Sequence, residues 1–163
     1  MILRCTKKLL TLIGPRQLID GPPDGEDWYA NLLWLSGRKC LLITHAASLF
    51  TVFEADVRAA NLRDPARLVT GLISRELLRE QLPADTFGSP DPAAVGLAKT
   101  ADRSVLGCMN DMAFMCETVT SRSGGPATTD IAELNRALRR NINSARDYQP
   151  PIELAAQRLH AGH

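Results

Sequence analysis

The amino-acid sequence predicts an α+β fold in which a small, mainly antiparallel sheet is packed by four or five helices. Residues 28–54 read as three consecutive strands, because hydrophobic residues fill them and short turn sequences separate them. After Val57 the hydrophobic residues recur at helical spacing instead. The chain has 163 residues, 45% hydrophobic and 23% charged, which predicts a single domain over 1–163 with a frayed tail at 160–163.

The sheet is predicted from four strand segments. Ser36-Gly37 is a hairpin signal, and the residues from Ala46 to Ser48 mark a second turn. The strand between these turns is apolar on both faces over residues 40–43, which is typical of a central strand covered on both sides. The strands are expected near residues 2–5, 28–35, 39–45 and 49–54.

The helices are predicted from their boundary residues and their apolar periodicity. Thr6 suits an N-cap, Gly14 suits a helix end, and Asp64-Pro65 is a strong helix start. The segment after Ser104 is apolar on most sides, so we expect it in the middle of the protein. The predicted helices cover residues 7–13, 65–82, 104–119, 131–143 and 152–159, with a polar loop over 83–100.

The charge and the cysteine content of the chain limit the classes of protein to which it can belong. The chain carries 19 basic and 18 acidic residues, so no global charge steers it toward nucleic acid or anionic lipid. No apolar run approaches the roughly 20 residues that cross a bilayer, and the opening lacks a signal-peptide cleavage site, so we expect a cytoplasmic protein that binds no membrane. The cysteines form no CxxC pair, so we expect no metal site and no cofactor. We expect the four cysteines to be reduced thiols in the core; they are Cys5, Cys40, Cys108 and Cys116.

Several short motifs resemble a known family along nearly the whole chain. They are Cys5-Thr6-Lys7-Lys8-Leu9-Leu10, Trp28-Tyr29-Ala30-Asn31-Leu32-Leu33, Arg38-Lys39-Cys40-Leu41-Leu42, Asp102-Arg103-Ser104-Val105-Leu106-Gly107 and Met109-Asn110-Asp111. Together they resemble an uncharacterised bacterial family of small proteins, the domain of unknown function DUF6933. The resemblance supports one compact fold and implies no activity.

Four polar residues in the predicted sheet are candidates for binding or catalysis. His45 ends the central strand where the chain turns, and His titrates near neutrality, so it is a candidate base; a turn residue is the alternative. Asn31 lies among apolar residues, where its amide needs partners, so it either binds a ligand or hydrogen-bonds a neighbouring loop. Arg38 and Lys39 follow the hairpin turn, where charge is usually solvated.

The start of the third long helix is a candidate anion site. If the helix begins near Ser104, its free N–H groups attract an anion and Arg103 adds charge. Asn110 and Asp111 lie one to two turns further on, away from the apolar stripe, and Asp111 is a second candidate base. The alternative interpretation is an ordinary N-cap with surface charge.

The predicted helix over 131–143 has an apolar and a basic side. Its apolar residues fall in one narrow sector, and Arg136, Arg139 and Arg140 fall on the opposite side. Three arginines with few acidic residues beside them are suited to contacting phosphates. The alternative interpretation is a solvated helix surface that binds nothing. No recognition-helix, RNA-binding or GxxG motif supports nucleic-acid recognition.

Two function classes follow from these observations. No GxSxG, Walker, GxGxxG, HExxH or kinase motif is present, so we expect a non-enzymatic module that contacts a protein or nucleic-acid partner through the three arginines. The alternative is a small-molecule enzyme with an anion site at Arg103 and Ser104 and His45 or Asp111 as base. A homodimer formed through an exposed sheet edge is compatible with either.

Overall fold

A computed structural model describes residues 1–161 and has an α+β fold, as predicted. Its strands are β1 (Ile2–Cys5), β2 (Trp28–Leu35), β3 (Arg38–His45), β4 (Thr51–Glu54) and β5 (Gly96–Lys99). Its helices are α1 (Lys7–Ile13), α2 (Ala59–Leu62), α3 (Pro65–Arg79), α4 (Arg103–Arg122), α5 (Ile131–Arg140) and α6 (Pro151–Ala161). Of the tail predicted to fray, His160 and Ala161 lie in α6, and positions 162 and 163 lie outside the described residues.

The sheet is mixed, so the prediction of a mainly antiparallel sheet is wrong. Its strand order is β4-β3-β2-β1-β5. The pairs β2–β3 and β3–β4 are antiparallel, whereas β1 pairs in parallel with both β2 and β5. The reason is connectivity, because α1 and a long loop separate β1 from β2, and such a crossover returns the chain in the same direction.

The strand β5 lies inside the segment that was predicted as a polar loop. It has only four residues, begins at a glycine and runs beside β1, with Leu97 opposite Leu3. The outward carbonyl of Leu97 accepts a hydrogen bond from the N–H of Ile19 at 2.8 Å. Pairing with β1 therefore imposes strand structure on a segment whose own residues favour a loop.

The two faces of the sheet are packed by different helices. On one face, which we call the α1 face, Leu3, Trp28 and Leu41 form a core with α1, α3 and part of α6. On the other face, the α4 face, Leu42 and Phe53 form a second core with α4 and α5. Residues 40–43 are buried on both faces, which confirms that this strand is covered on both sides, although β3 lies second in the sheet and β2 is its central strand.

The sheet has two distinct ends. At the hairpin end β2 turns into β3 through Ser36 and Gly37, whose φ values of 52° and 73° match a tight hairpin turn. The strands β1, β2 and β5 all run in the direction of this end, but β1 and β5 stop beside Ala30, so α1 and α4 begin near the middle of β2. His45 lies at the opposite end, paired with Trp28.

Candidate functional site

The three arginines predicted to form an exposed basic face on α5 do not share one environment. Arg136 and Arg140 are exposed, but Arg139 is only 1% exposed. The buried residues of α5 are Leu134, Asn135, Leu138 and Arg139, and the helix ends at Arg140, three residues before its predicted end. The prediction of a three-arginine surface is therefore wrong at Arg139, because α5 buries a polar stripe beside its apolar one.

Arg139 belongs to a buried ion-pair network that joins α5 to α3. Its guanidinium donates to Glu76 at 3.0 Å and to Glu80 at 2.7 Å. Glu76 is fully buried and also accepts a hydrogen bond of 2.6 Å from Arg79. Arg140 forms two hydrogen bonds to Glu80, at 2.9 and 2.7 Å. Although burial opposes it, hydrogen bonds from both arginines lower the pKa of the Glu80 carboxyl.

Side chains of α5 also hydrogen-bond the backbone of β4 at one edge of the sheet. The side-chain amide of Asn135 accepts a hydrogen bond from the N–H of Phe53 at 2.6 Å and donates one to its carbonyl at 2.9 Å. Arg139 donates to the carbonyl of Thr51 at 3.3 Å. The outward backbone groups of β4 are thus satisfied by α5. A second chain adding a strand here would have to displace α5, so the predicted edge-to-edge homodimer finds no open edge at β4.

His45 is fully buried at the end of the sheet away from the hairpin. Its Nδ1 accepts a hydrogen bond from the backbone N–H of Ser48 at 3.3 Å and lies 2.9 Å from the hydroxyl of Ser48. The proton of the neutral ring therefore lies on Nε2, which is 3.7 Å from Glu26. Burial, followed by the nearby Arg158 charge, lowers the pKa of His45 to about 4. His45 is thus a neutral group that fixes the turn before Phe50.

The fold does not bring together the groups that the enzyme hypothesis requires. His45 points to the α1 face, where Trp28 and Phe87 surround its ring, whereas α4 with Arg103 packs against the α4 face. Asp111 is exposed and lies eight residues after Arg103, about 12 Å further along the helix. An anion held at Arg103 would therefore be out of reach of both candidate bases.

The start of α4 is already occupied by the carboxylate of its own N-cap. Asp102 accepts hydrogen bonds from the N–H groups of Ser104 at 2.8 Å and Val105 at 3.3 Å. Arg103 and Ser104 are exposed beside it, and Asn110 is exposed about two turns further along the helix. Because the free N–H groups and the helix dipole are neutralised by this carboxylate, the predicted anion site matches its alternative interpretation, an ordinary cap.

The remaining candidates lie toward the hairpin end and have partners in the chain. The Asn31 side-chain oxygen accepts a hydrogen bond from the hydroxyl of Thr6 at 2.8 Å, which ties β2 to the start of α1. Arg38 pairs with the exposed carboxylate of Asp56 at 3.1 Å. The Lys39 ammonium lies over the ring of Trp34, 5.4 Å from its centroid. Asn31 is thus structural, and the two cations remain at the surface.

A different basic surface lies where α1, α2 and the start of α3 meet. Three neighbouring clefts of about 380, 560 and 450 Å³ open there. The first two clefts share Arg16 and Leu18, and the last two share Asp64. We call this continuous surface the basic groove, and define it by the cations that line it, Lys7, Arg16, Arg63 and Arg67.

Few acidic side chains lie close enough to neutralise the cations of the basic groove. All four are exposed, and the carboxylate of Asp64 is the one acid that lines the three clefts. Asp64 accepts a hydrogen bond from the N–H of Arg67, and its side chain lies 3.6 Å from that of Arg67. Within residues 1–161, the side chains of Lys7, Arg16 and Arg63 have no carboxylate within ion-pair distance. The groove therefore carries an unbalanced positive charge.

Hydrogen bonds to backbone carbonyls hold the groove in shape. Arg16 donates to the carbonyl of Arg63 at 2.7 Å and to that of Pro15 at 2.9 Å, which ties the loop after α1 to the segment before α3. The carboxylate of Asp64 caps α3, and Pro65 follows at its first position. Arg16 thereby stays in the middle of the groove although its side chain is exposed.

Two other clefts have a different charge balance. A cleft of about 370 Å³ near the amino end of β1 is lined by Arg4 and four acids, Asp20, Asp24, Asp27 and Glu26. Another, of about 330 Å³, contains Arg136 and is lined by three arginines and three acids. Unopposed positive charge is thus a property of the basic groove and is not shared by every cleft.

Sequence reasoning missed the basic groove because its residues are dispersed. Lys7, Arg16 and Arg63 lie in three segments, with Arg16 and Arg63 47 residues apart, and each stands in a local sequence typical of a solvated loop or helix start. A signal was present in the run 58–67, where three arginines accompany one aspartate. Only the packing of α2 between α1 and α3 joins that run to Lys7 and Arg16.

The described part of the chain contains neither a cluster of metal ligands nor a membrane-spanning helix. Over residues 1–161, no group of three or more His, Cys, Asp or Glu side chains is arranged to hold a metal ion. In the same range no helix has the length and apolar character needed to span a membrane. All four cysteines are free and buried, and burial raises the pKa of the Cys5 and Cys116 thiols to about 12.

Comparison with known proteins agrees with the resemblance seen in the motifs. The family model described as a domain of unknown function, DUF6933, matches residues 2–154. No curated protein and no solved structure matches the chain. The match includes every strand, the basic groove and the network between α3 and α5. The chain therefore belongs to the DUF6933 family.

Proposed function

We propose that this protein is a non-enzymatic binding module that holds the phosphate backbone of a nucleic acid in the basic groove. The observation that carries the proposal is the unopposed charge of the groove. Its four cations line three joined clefts with one acid among them, whereas Arg79, Arg139 and Arg140, between α3 and α5, pair with glutamates. Exposed cations without a carboxylate partner, such as Lys7, Arg16 and Arg63, are free to bind an external anion.

The chemistry of the groove suits phosphate in particular. Three of its four cations are arginines, whose planar guanidinium donates two parallel hydrogen bonds to phosphate oxygens. The clefts follow one another along the surface, so they favour an extended anion with repeated charges over a single small one. Net charge is +1, so attraction depends on this local surface and is expected to weaken strongly with salt.

The experiment is a binding titration with fluorescently labelled oligonucleotides, followed by anisotropy at several salt concentrations. The test variant combines Arg16→Glu, Arg63→Glu and Arg67→Glu. Because three attractive contacts become repulsive, we expect the affinity to fall by about a hundredfold. The affinity of the natural protein is expected to fall linearly with salt on logarithmic axes.

A matched control separates the groove from total charge. Arg103→Glu, Arg122→Glu and Arg136→Glu together give the same net charge, and all three residues are exposed on α4 and α5. This control is expected to retain nearly the natural affinity. Equal losses in both triple variants would contradict the proposal, as would binding of an acidic protein but no oligonucleotide by the natural chain.

A further inference from the structure

One tryptophan lies exposed at the hairpin end. Trp34 is 54% exposed, whereas Trp28, the other tryptophan of the chain, is 1% exposed. Tryptophan is the largest apolar side chain, and exposing half of it forfeits favourable burial. The Lys39 ammonium contacts the ring, 5.4 Å from its centroid. The side chain is thus positioned by a cation and left open to solvent.

Trp34 lies on the same face of the sheet as the basic groove. It is separated by an even number of residues from Leu32 and Trp28, which belong to the core on the α1 face, and it pairs across the hairpin with Lys39. The carbonyl of Lys39 accepts a hydrogen bond from the N–H of Val57 at 2.8 Å, directly before α2. α2 in turn lines the groove with Ala60 and Asn61. The ring and the groove therefore lie on the same face of the sheet, and the segment from Val57 to α2 runs from one toward the other.

Two further exposed cations lie on the elements next to the groove. Arg58 is exposed and follows Val57, so it lies between Lys39 and α2. Lys8 is exposed at the start of α1, the end of that helix nearest the hairpin. An aromatic platform flanked by cations is the arrangement that proteins use to stack bases while neutralising the backbone between them.

We propose that the ligand is a single-stranded nucleic acid whose bases stack on Trp34 while its backbone follows the basic groove. The inference rests on the proposed function and adds the ligand's strandedness to it. A duplex keeps its bases stacked within the helix, so it offers phosphates but no free base face to an exposed ring. A single strand offers both.

The experiment uses Trp34→Ala and Trp34→Phe in the full chain. The ligands are an oligothymidine of about 12 nucleotides, an abasic strand of the same length and a duplex of the same length. Losing one stacked base is expected to weaken oligothymidine binding by the Ala variant about tenfold, with little change for the abasic strand or the duplex. The Phe variant keeps an aromatic face and is expected to lose less than the Ala variant.

Fluorescence provides a second measurement that affinity alone does not give. A base stacked on Trp34 quenches its emission, and the Phe variant, which retains only the buried Trp28, is expected to show no quenching. Unchanged oligothymidine affinity in the Ala variant would overturn the inference, and so would equal losses for all three ligands. If the Glu triple variant of the groove still loses binding in that case, the proposed function stands and only the stacking is wrong. No oligonucleotide binding by the natural chain would overturn both.

Discussion

The protein contains two groups of arginines that differ in whether the chain itself neutralises them. Between α3 and α5, Arg139 is 1% exposed and donates hydrogen bonds to Glu76 and Glu80. In the basic groove, Arg16 and Arg63 are exposed and have no carboxylate partner in the described chain. The first group joins two helices around the edge of β4. The second presents charge to solvent.

The difference shows why arginine count alone says little about partners. A buried guanidinium is stable only with carboxylates and carbonyls around it, so the α3–α5 group is committed to the fold. An exposed guanidinium keeps its hydration and contributes little to stability, so the groove can carry charge at small energetic cost. Each group can be tested by a measurement to which the other should be insensitive.

The largest expected effect is on stability in the α3–α5 group. Arg139→Ala removes the arginine that pairs with Oε2 of the fully buried Glu76 carboxylate, whose Oε1 keeps Arg75 and Arg79, and it leaves the carbonyl of Thr51 without its side-chain donor. We expect a loss of about 3–5 kcal/mol in the free energy of unfolding, measured by urea denaturation. Because the ion pairs are buried, the loss should change little with salt.

Arg136→Ala is the matched control on the same helix. Arg136 is exposed, so we expect the free energy of unfolding to change by no more than about 0.5 kcal/mol. Equal effects of the two substitutions would mean that the buried network adds nothing, and the comparison between the two arginine groups would fail.

The next effect concerns a buried base at the other end of the sheet. His45 has a pKa of about 4 in the folded chain, below its ordinary 6.5, chiefly because of burial and then because of Arg158. Its contribution to stability is therefore complete above pH 6.5 and is lost as the pH falls through 6.5 toward 4. The full contribution is about 3 kcal/mol, of which about 1.5 kcal/mol should disappear between pH 6.5 and 5.

The measurement is urea denaturation at a series of pH values for the natural chain and for His45→Gln. Glutamine keeps an acceptor for Ser48 and does not titrate, so its stability should be flatter between pH 6.5 and 5. Glu26 faces Nε2 of His45 at 3.7 Å, and Arg158 and Arg146 lie nearby. The same slope in both proteins would show that His45 does not govern this range.

A loss of stability smaller than that of Arg139→Ala is expected where α5 covers the sheet edge. Asn135→Ala removes both hydrogen bonds to the backbone of Phe53, leaving a buried donor and acceptor unpaired. We expect a loss of about 2 kcal/mol in the free energy of unfolding. Asn110→Ala on the exposed side of α4 is the control. Light scattering of the Asn135 variant also tests whether uncovering this edge promotes association, which the natural chain should resist.

Much of the fold was predictable because strong local patterns specify it. The alternation in β2, the Ser36-Gly37 turn and the Asp64-Pro65 helix start gave correct elements. The direction of β1 was not predictable from its residues, because parallel pairing depends on where a crossover returns the chain. For the same reason β5 was missed, since β1 supplies the pairing that its own four residues do not encode.

The site was harder to predict than the fold because burial decides what a charge does. The helical projection of α5 places Arg139 with Arg136 and Arg140, and only the neighbouring α3 explains why Arg139 turns inward to Glu76. Likewise, an ordinary N-cap was the alternative interpretation at the start of α4, yet whether a cap carboxylate or an external anion fills it depends on side-chain geometry. The basic groove needed three distant segments to pack together.

The smallest stability effect, and the sharpest contrast with Arg139, is expected at Arg63. Its side chain is exposed and its backbone carbonyl, which a substitution keeps, accepts the hydrogen bond from Arg16. Arg63→Ala should therefore change the free energy of unfolding by less than about 0.5 kcal/mol. The same variant should lower the salt slope of oligonucleotide binding by roughly one, because one phosphate contact is lost. A large loss of stability with an unchanged slope would make Arg63 a structural residue, and the division between an internal and an external arginine group would no longer hold.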